Sequence, residues 1–129
     1  MTTDEITPRD QELVELLGDR PTVEALSWLE RPRVSGEKRV IGAAGRLLDE
    51  GAALGLVRDL YRAGASEVHA VNTVQEPGAD DHADGLLVVL PDLTEARERL
   101  FGLINRQEEQ LKGEVRRDEG QRYLLTMWT

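Results

Sequence analysis

The chain has 129 residues, of which 40% are hydrophobic and 32% are charged. This composition is typical of one soluble globular domain and excludes a disordered chain. The sequence contains no cysteine, which excludes disulfides, thiolate metal sites and a cysteine nucleophile. It has no long apolar run, so we expect no membrane-spanning helix. The acidic N-terminus is not typical of a signal peptide, so we expect a cytoplasmic protein.

The formal net charge of −9 restricts the partners that the chain can attract. An acidic surface repels the phosphates of nucleic acids and the headgroups of anionic membranes. We therefore expect neither nucleic acid nor a membrane as a partner.

Two short helices are predicted at the start of the chain. Thr7 and Pro8 are typical of a helix start, and Gly18 ends the apolar stripe that follows them. Thr22 can cap a second short helix, which ends before Pro32. Helices this short are marginal alone and must dock on other elements. We therefore expect residues 1–36 to form a helical extension of a core domain.

The core domain, residues 37–129, alternates strand and helix signals. The predicted strands lie at 38–43, 66–74, 86–90 and 123–128. One predicted helix begins near Ala52 and ends at Gly64, and the other begins at Asp92, with Glu95 as its capping-box partner, and ends near 111. The order βαββαβ predicts an α+β fold, a ferredoxin-like sandwich with the N-terminal two-helix extension.

Two of the predicted strands are apolar on both faces. Residues 86–90 are all aliphatic, and in the last strand Leu124 and Trp128 lie opposite Leu125 and Met127. Helices cover one face of such a sheet, so the N-terminal helices or a second copy of the chain must cover the other. We expect a homodimer or another protein partner at this face, with Leu124 and Trp128 as candidate interface residues. The alternative is that Trp128 packs on the N-terminal helices.

A glycine turn follows the first predicted strand. The run from Val40 to Leu48 resembles the turn that opens the βαβ unit of short-chain dehydrogenases, where glycines let the backbone approach a pyrophosphate. The resemblance implies a small-ligand or nucleotide site at Gly42, Gly45 and Arg46. Leu48 stands where that family has its third glycine, and the chain has no Tyr-x-x-x-Lys pair. The alternative is a plain strand-to-helix turn.

The acidic loop before residue 86 partly resembles the start of a calcium loop. Asp80, His82 and Asp84 are spaced two apart and precede Gly85. The bidentate glutamate of such a loop is missing, because its position is Pro91. Asp80, His82 and Asp84 remain a candidate divalent-metal site, with a solvated loop as the alternative.

Residues 31–46 form a basic segment in an acidic protein. Its cations are Arg31, Arg33, Lys38, Arg39 and Arg46. Such a cluster can hold a phosphate, an acidic partner or RNA. The predicted strand at 38–43 has no aromatic residue on which a base could stack. The alternative is a connector whose arginines pair with nearby acids.

No nucleophile, base and orienting group can be brought together from the residue spacing, and we expect no cofactor. The sequence predicts a small, non-enzymatic binding or regulatory module that acts on a protein partner through its sheet face. The alternative is a small-ligand or nucleotide-binding domain that uses the Gly42–Arg46 turn.

Overall fold

The computed structural model describes residues 22–31, 38–42, 48–74, 81–111 and 113–127. Within these ranges the chain forms six strands and three helices. The strands are β1 (Thr22–Glu24), β2 (Arg39–Ile41), β3 (Glu67–Val71), β4 (Asp81–Ala83), β5 (Gly85–Val89) and β6 (Tyr123–Met127). The helices are α1 (Ala25–Glu30), α2 (Glu50–Ala63) and α3 (Thr94–Gln110). This mixed content confirms the α+β class. None of the described helices is long and apolar enough to cross a membrane.

The strands form two sheets. Four of them make an antiparallel sheet in the order β1-β3-β5-β6, while β2 and β4 form a separate parallel pair. A ferredoxin-like sandwich is not confirmed, because it requires all four predicted strands in one sheet. The strand predicted at 38–43 is present as β2, but it lies outside the main sheet. The fourth strand of the main sheet is instead β1, which occupies the edge beside β3.

The second of the two predicted N-terminal helices is present as α1, and it begins later than predicted. Thr22 does not cap it, since Thr22 begins β1 and pairs with Val71 of β3. Instead Glu24 is the N-cap of α1, and its carboxylate accepts hydrogen bonds from the backbone N–H groups of Leu26 (2.9 Å) and Ser27 (2.7 Å). The first predicted helix, in residues 8–18, lies outside the described residues.

Helix α2 begins earlier than its glycines suggest. The Asp49 side chain accepts a hydrogen bond from the N–H of Ala52 at 2.8 Å and caps the helix. Gly51 therefore lies inside the first turn. The predicted end at Gly64 is confirmed, and Gly64 takes the left-handed conformation (φ +114°) that glycine tolerates best.

Helix α3 starts at Thr94, with Leu93 at the N-cap position and no side-chain cap hydrogen bond from the described residues. The predicted Asp92–Glu95 capping box is therefore wrong. The chain that precedes α3 is instead held by a side chain of the helix itself, that of Arg97. The guanidinium of Arg97 donates a hydrogen bond to the carbonyl of Pro91 at 3.1 Å.

Arg97 also fixes the irregular segment between α3 and β6. Its guanidinium donates to the Asp118 carboxylate (3.1 and 2.6 Å) and to the carbonyl of Gln121 (2.9 Å). The hydrogen bonds from Arg97 hold the pKa of Asp118 below its usual range. The Asn105 amide adds a second anchor, because it both donates to and accepts from the backbone of Arg116. These contacts determine where β6 joins the sheet.

Two apolar clusters lie on opposite faces of the main sheet. The main core contains buried residues of α1, α2 and α3 together with the inward side chains Val68, Ala70, Leu86, Val88 and Leu124. The far-face cluster consists of Val71, Leu87 and Leu125, with Tyr123 and Met127 packed against it. The predicted alternation of Leu124 and Leu125 between the two faces is confirmed.

The β5–β6 contact generates the first testable prediction. A Cβ atom on Gly85 would overlap the backbone carbonyl oxygen of Thr126, whereas one on Gly102 of α3 would meet nothing within 4 Å. Gly85→Ala should therefore lower the free energy of unfolding by about 1–3 kcal/mol. Gly102→Ala should raise it by about 0.5–1 kcal/mol, because alanine loses less backbone entropy in a helix. Urea unfolding of the two variants checks both signs. Equal stability of the two variants would contradict the close approach of β5 and β6.

Candidate functional site

A small cleft lies where α1 meets the residues after β3 and the start of β4. Its volume is about 160 Å³. The residues that line it are Val23, Trp28, Arg31, Thr73, Val74 and Asp81. They come from three separate stretches of the chain. Antiparallel pairing of β1 with β3 and parallel pairing of β2 with β4 bring these stretches together.

Arg39 supports two walls of this cleft from behind. Arg39 is only 3% exposed, and its Nη1 donates a hydrogen bond to the backbone carbonyl of Arg31 at 2.5 Å. Its Nε lies 3.5 Å from Oδ2 of Asp81. Arg39 and Asp81 are direct register partners in the β2–β4 pair, which explains why they lie side by side. The connector interpretation of the basic segment is thus observed for Arg39.

The electrostatic balance of the cleft differs from that of the whole protein. Among the described residues that line the cleft, Arg31 provides one positive charge and Asp81 one negative charge. The described lining is therefore balanced in charge, although the chain carries a net charge of −9. A guanidinium in such a place can attract the negative end of a small molecule even when the overall field of the protein is repulsive.

Glu24 positions α1, which carries Trp28 and is followed by Arg31. The Tyr61 hydroxyl donates to Oε2 of Glu24 at 2.6 Å and accepts from the N–H of Val68 at 3.1 Å. Burial alone would raise the pKa of Glu24, but the hydrogen bonds from Tyr61 and from the α1 backbone lower it to about 2. Burial and the hydrogen bond to Glu24 raise the pKa of Tyr61 to about 12.

The predicted site at Gly42, Gly45 and Arg46 is described only at Gly42, since the other two lie outside the described residues. Gly42 directly follows β2, has φ +101° and donates its N–H to the carbonyl of Ala83 at 2.8 Å. Two backbone hydrogen bonds, 3.1 and 2.7 Å long, then join Ile41 and Leu48.

The start of α2 does not favour a pyrophosphate. Asp49 is its N-cap and Glu50 is its first residue. Their carboxylates occupy the helix end where the dehydrogenase turn would place a phosphate, and like charges repel there. The nucleotide-binding interpretation stays a prediction that this geometry does not support.

The predicted metal site is divided by the limits of the described residues. Asp80 lies outside them. His82 lies in β4, and its backbone exchanges hydrogen bonds of 2.7 and 3.0 Å with Val74. The Asp84 carboxylate accepts a hydrogen bond from the side-chain amide of Asn72. Among the described residues, His, Asp and Glu side chains do not gather in threes as a metal would require. The set Asp80, His82 and Asp84 therefore stays an untested prediction.

The two predicted interface residues have different outcomes. Trp128 lies outside the described residues, while Leu124 is 1% exposed and packs in the main core. The opposite face is the one free of described helices, and its side chains are those of the far-face cluster. At its centre, Leu87 and Leu125 are 8% and 4% exposed in the single chain. Its rim, which includes Met127, is partly exposed.

Comparison with known proteins gives no relative. No protein-family model, curated protein or solved structure matches the chain. The cleft and the far face of the sheet must therefore carry the functional argument by their own chemistry.

The cleft was only partly visible in the sequence. Arg31 and Arg39 belong to the predicted basic segment, and Asp81 belongs to the predicted acidic loop. Their proximity depends on the pairing of β2 with β4, which no local sequence pattern predicts. The sequence does not mark Trp28 or Thr73 as binding residues. Trp28 is typical of a core residue, and Thr73 is typical of a strand residue.

The Glu24 network predicts a specific acid sensitivity. The folded pKa of Glu24, about 2, lies below its ordinary value of 4.5, so the unfolded chain binds this proton first. The stabilisation is complete above about pH 4.5 and is lost as the pH falls toward 2. Glu24→Gln should reduce the slope of unfolding free energy against pH in this window. Tyr61→Phe, which removes only the hydroxyl, should give an intermediate slope.

Urea unfolding at several pH values between 6 and about 3 measures these slopes. Identical slopes for the wild type and Glu24→Gln would show that the carboxylate is not held by these hydrogen bonds.

Proposed function

We propose that the chain is a non-enzymatic protein-interaction module that acts through the sheet face opposite its helices, with a second copy of the chain as its partner. The observation that supports this proposal is a partly exposed apolar rim on that face, at Val89, Tyr123 and Met127. All three described helices contribute buried side chains to the main core, on the other face of the sheet. Among the described residues, the far-face cluster contains strand side chains alone.

The composition of the far face suits a protein contact. Aromatic and aliphatic side chains with methionine are enriched in interface centres, and Tyr123, Leu125 and Met127 provide these types along one strand. Val71 is fully buried in the single chain, and Leu87 and Leu125 are nearly so. The area that a second copy can cover is therefore the rim, where Val89, Tyr123 and Met127 are partly exposed.

The net charge adds a condition to this association. Two copies that each carry −9 repel one another at low ionic strength. At 0.1 M salt, the repulsion between exposed charges is largely screened at distances beyond about 10 Å. Apolar contact between the two far faces should therefore tighten as salt is added, in contrast to an interface held by ion pairs.

Light scattering after size exclusion, at several protein and salt concentrations, tests the proposal. We expect a dimer whose fraction rises with protein concentration and with salt. Met127→Glu places a charge on the far-face rim and should shift the chain to monomer. Val115→Glu is the matched control, because Val115 is 51% exposed in the segment between α3 and β6, and it should leave the dimer intact.

Circular dichroism establishes that both variants fold. A wild-type monomer at every concentration and salt level would remove the second copy as the partner. An equal loss of dimer in both variants would show that the contact does not use the far face.

A further inference from the structure

The cleft beside α1 combines side chains of opposite hydrogen-bonding character. Arg31 carries only donors, and Asp81 as a carboxylate carries only acceptors. Thr73 contributes a hydroxyl that can do both. A molecule that satisfies these three groups must offer an acceptor with negative charge at one end and a donor close beside it.

We propose that this cleft binds a small carboxylate that bears a hydrogen-bond donor, either hydroxyl or ammonium, on the carbon next to the carboxylate. The ligand carboxylate pairs with the guanidinium of Arg31, since hydrogen bonds between two charged groups are the strongest available. The adjacent donor is accepted by the carboxylate of Asp81. The Thr73 hydroxyl completes the polar wall.

The size of the cleft restricts the ligand further. Its volume of about 160 Å³ lies below the roughly 300–1,000 Å³ of sites for drug-sized molecules. A mononucleotide exceeds this space, and the Asp81 carboxylate would also repel a phosphate dianion. A ligand of about three carbons with one carboxylate fits the volume and the single guanidinium of the described lining.

Apolar side chains form part of the cleft wall. Val23, Trp28 and Val74 belong to its lining, and Trp28 is only 4% exposed. A methyl group on the ligand can contact these walls while its polar end faces Arg31 and Asp81.

Arg39 fixes part of the site before any ligand arrives. It lies behind the cleft at 3% exposure and contacts the backbone of Arg31 and the side chain of Asp81. The Asp81 carboxylate and the backbone that carries Arg31 are thus held by one buried side chain, while Arg31 itself is exposed. Fixing the carboxylate in advance reduces the ordering cost of binding.

Four compounds with one carbon skeleton test the proposal: L-lactate, L-alanine, propionate and L-alaninamide. Lactate and alanine carry both groups, with a hydroxyl or an ammonium as the donor, while propionate lacks the donor and alaninamide lacks the carboxylate. Each is titrated into the full chain, and the indole N–H signal of Trp28 is followed by NMR. A Trp128→Phe variant assigns that signal.

We expect a saturable shift with lactate, with alanine or with both, and the stronger of the two identifies the donor. Propionate and alaninamide should bind at least about tenfold more weakly than the stronger of these two ligands. Arg31→Gln should weaken binding by about tenfold or more, and its backbone carbonyl remains in place for Arg39. Arg62→Gln is the matched control, because the side chain of Arg62 is 77% exposed on α2, and it should bind like the wild type.

Three results would overturn the proposal. One is a response that stays linear to the solubility limit for all four compounds. Another is equal affinity for propionate and lactate, with alanine no tighter, which would remove Asp81 from recognition. The third is unchanged affinity in Arg31→Gln. None of these outcomes depends on the oligomeric state of the chain, so the site stands or falls separately from the far-face contact.

Discussion

The hydrogen bonds of one carboxylate, that of Glu24, join four elements of the fold. Glu24 ends β1, caps α1 and accepts from the hydroxyl of Tyr61 on α2, which itself accepts from the Val68 N–H of β3. A helix of six residues is marginal by itself. These bonds supply the tertiary anchor that such a short helix needs. The orientation of Trp28, and with it one wall of the cleft, therefore depends on an interaction made outside the cleft.

Strand β1, which ends at Glu24, also takes part in the order of the main sheet. In the main sheet β1 pairs with the edge of β3 and β5 pairs directly with β6, so β2 does not lie between β5 and β6 as a βαββαβ sandwich requires. Strand β2 then pairs in parallel with β4, in a sheet of its own. This register is what brings Arg39 beside Asp81. The departure from a βαββαβ sandwich is thus the structural cause of the cleft, because a β2 placed inside the main sheet would not pair with β4.

The sequence predicts the elements whose apolar period is long enough to be read. Helices α2 and α3 and strands β3, β5 and β6 were predicted close to their observed bounds, since each repeats its pattern over five residues or more. Strands β1 and β4 were missed because three residues carry no measurable period and are stabilised by their partners, and β2, which is equally short, was predicted only as part of the longer segment 38–43. The Asp92 cap failed for a related reason, since Arg97, one turn into α3, holds the preceding chain at Pro91. The cleft could not be predicted, because it is formed by the same pairings.

Arg97 and Arg39 are both buried, and each forms an ion pair of a different geometry. Arg97 donates two hydrogen bonds to Asp118, one of 2.6 Å, and two more to the backbone carbonyls of Pro91 and Gln121. That carboxylate is committed to holding the chain between α3 and β6. Nε of Arg39 instead lies 3.5 Å from Oδ2 of Asp81, and a carboxylate has about four acceptor positions. Asp81 is therefore oriented and partly neutralised while it keeps acceptor capacity toward the cleft that it lines. This difference in geometry, more than the difference in burial, separates a clamp from a recognition group.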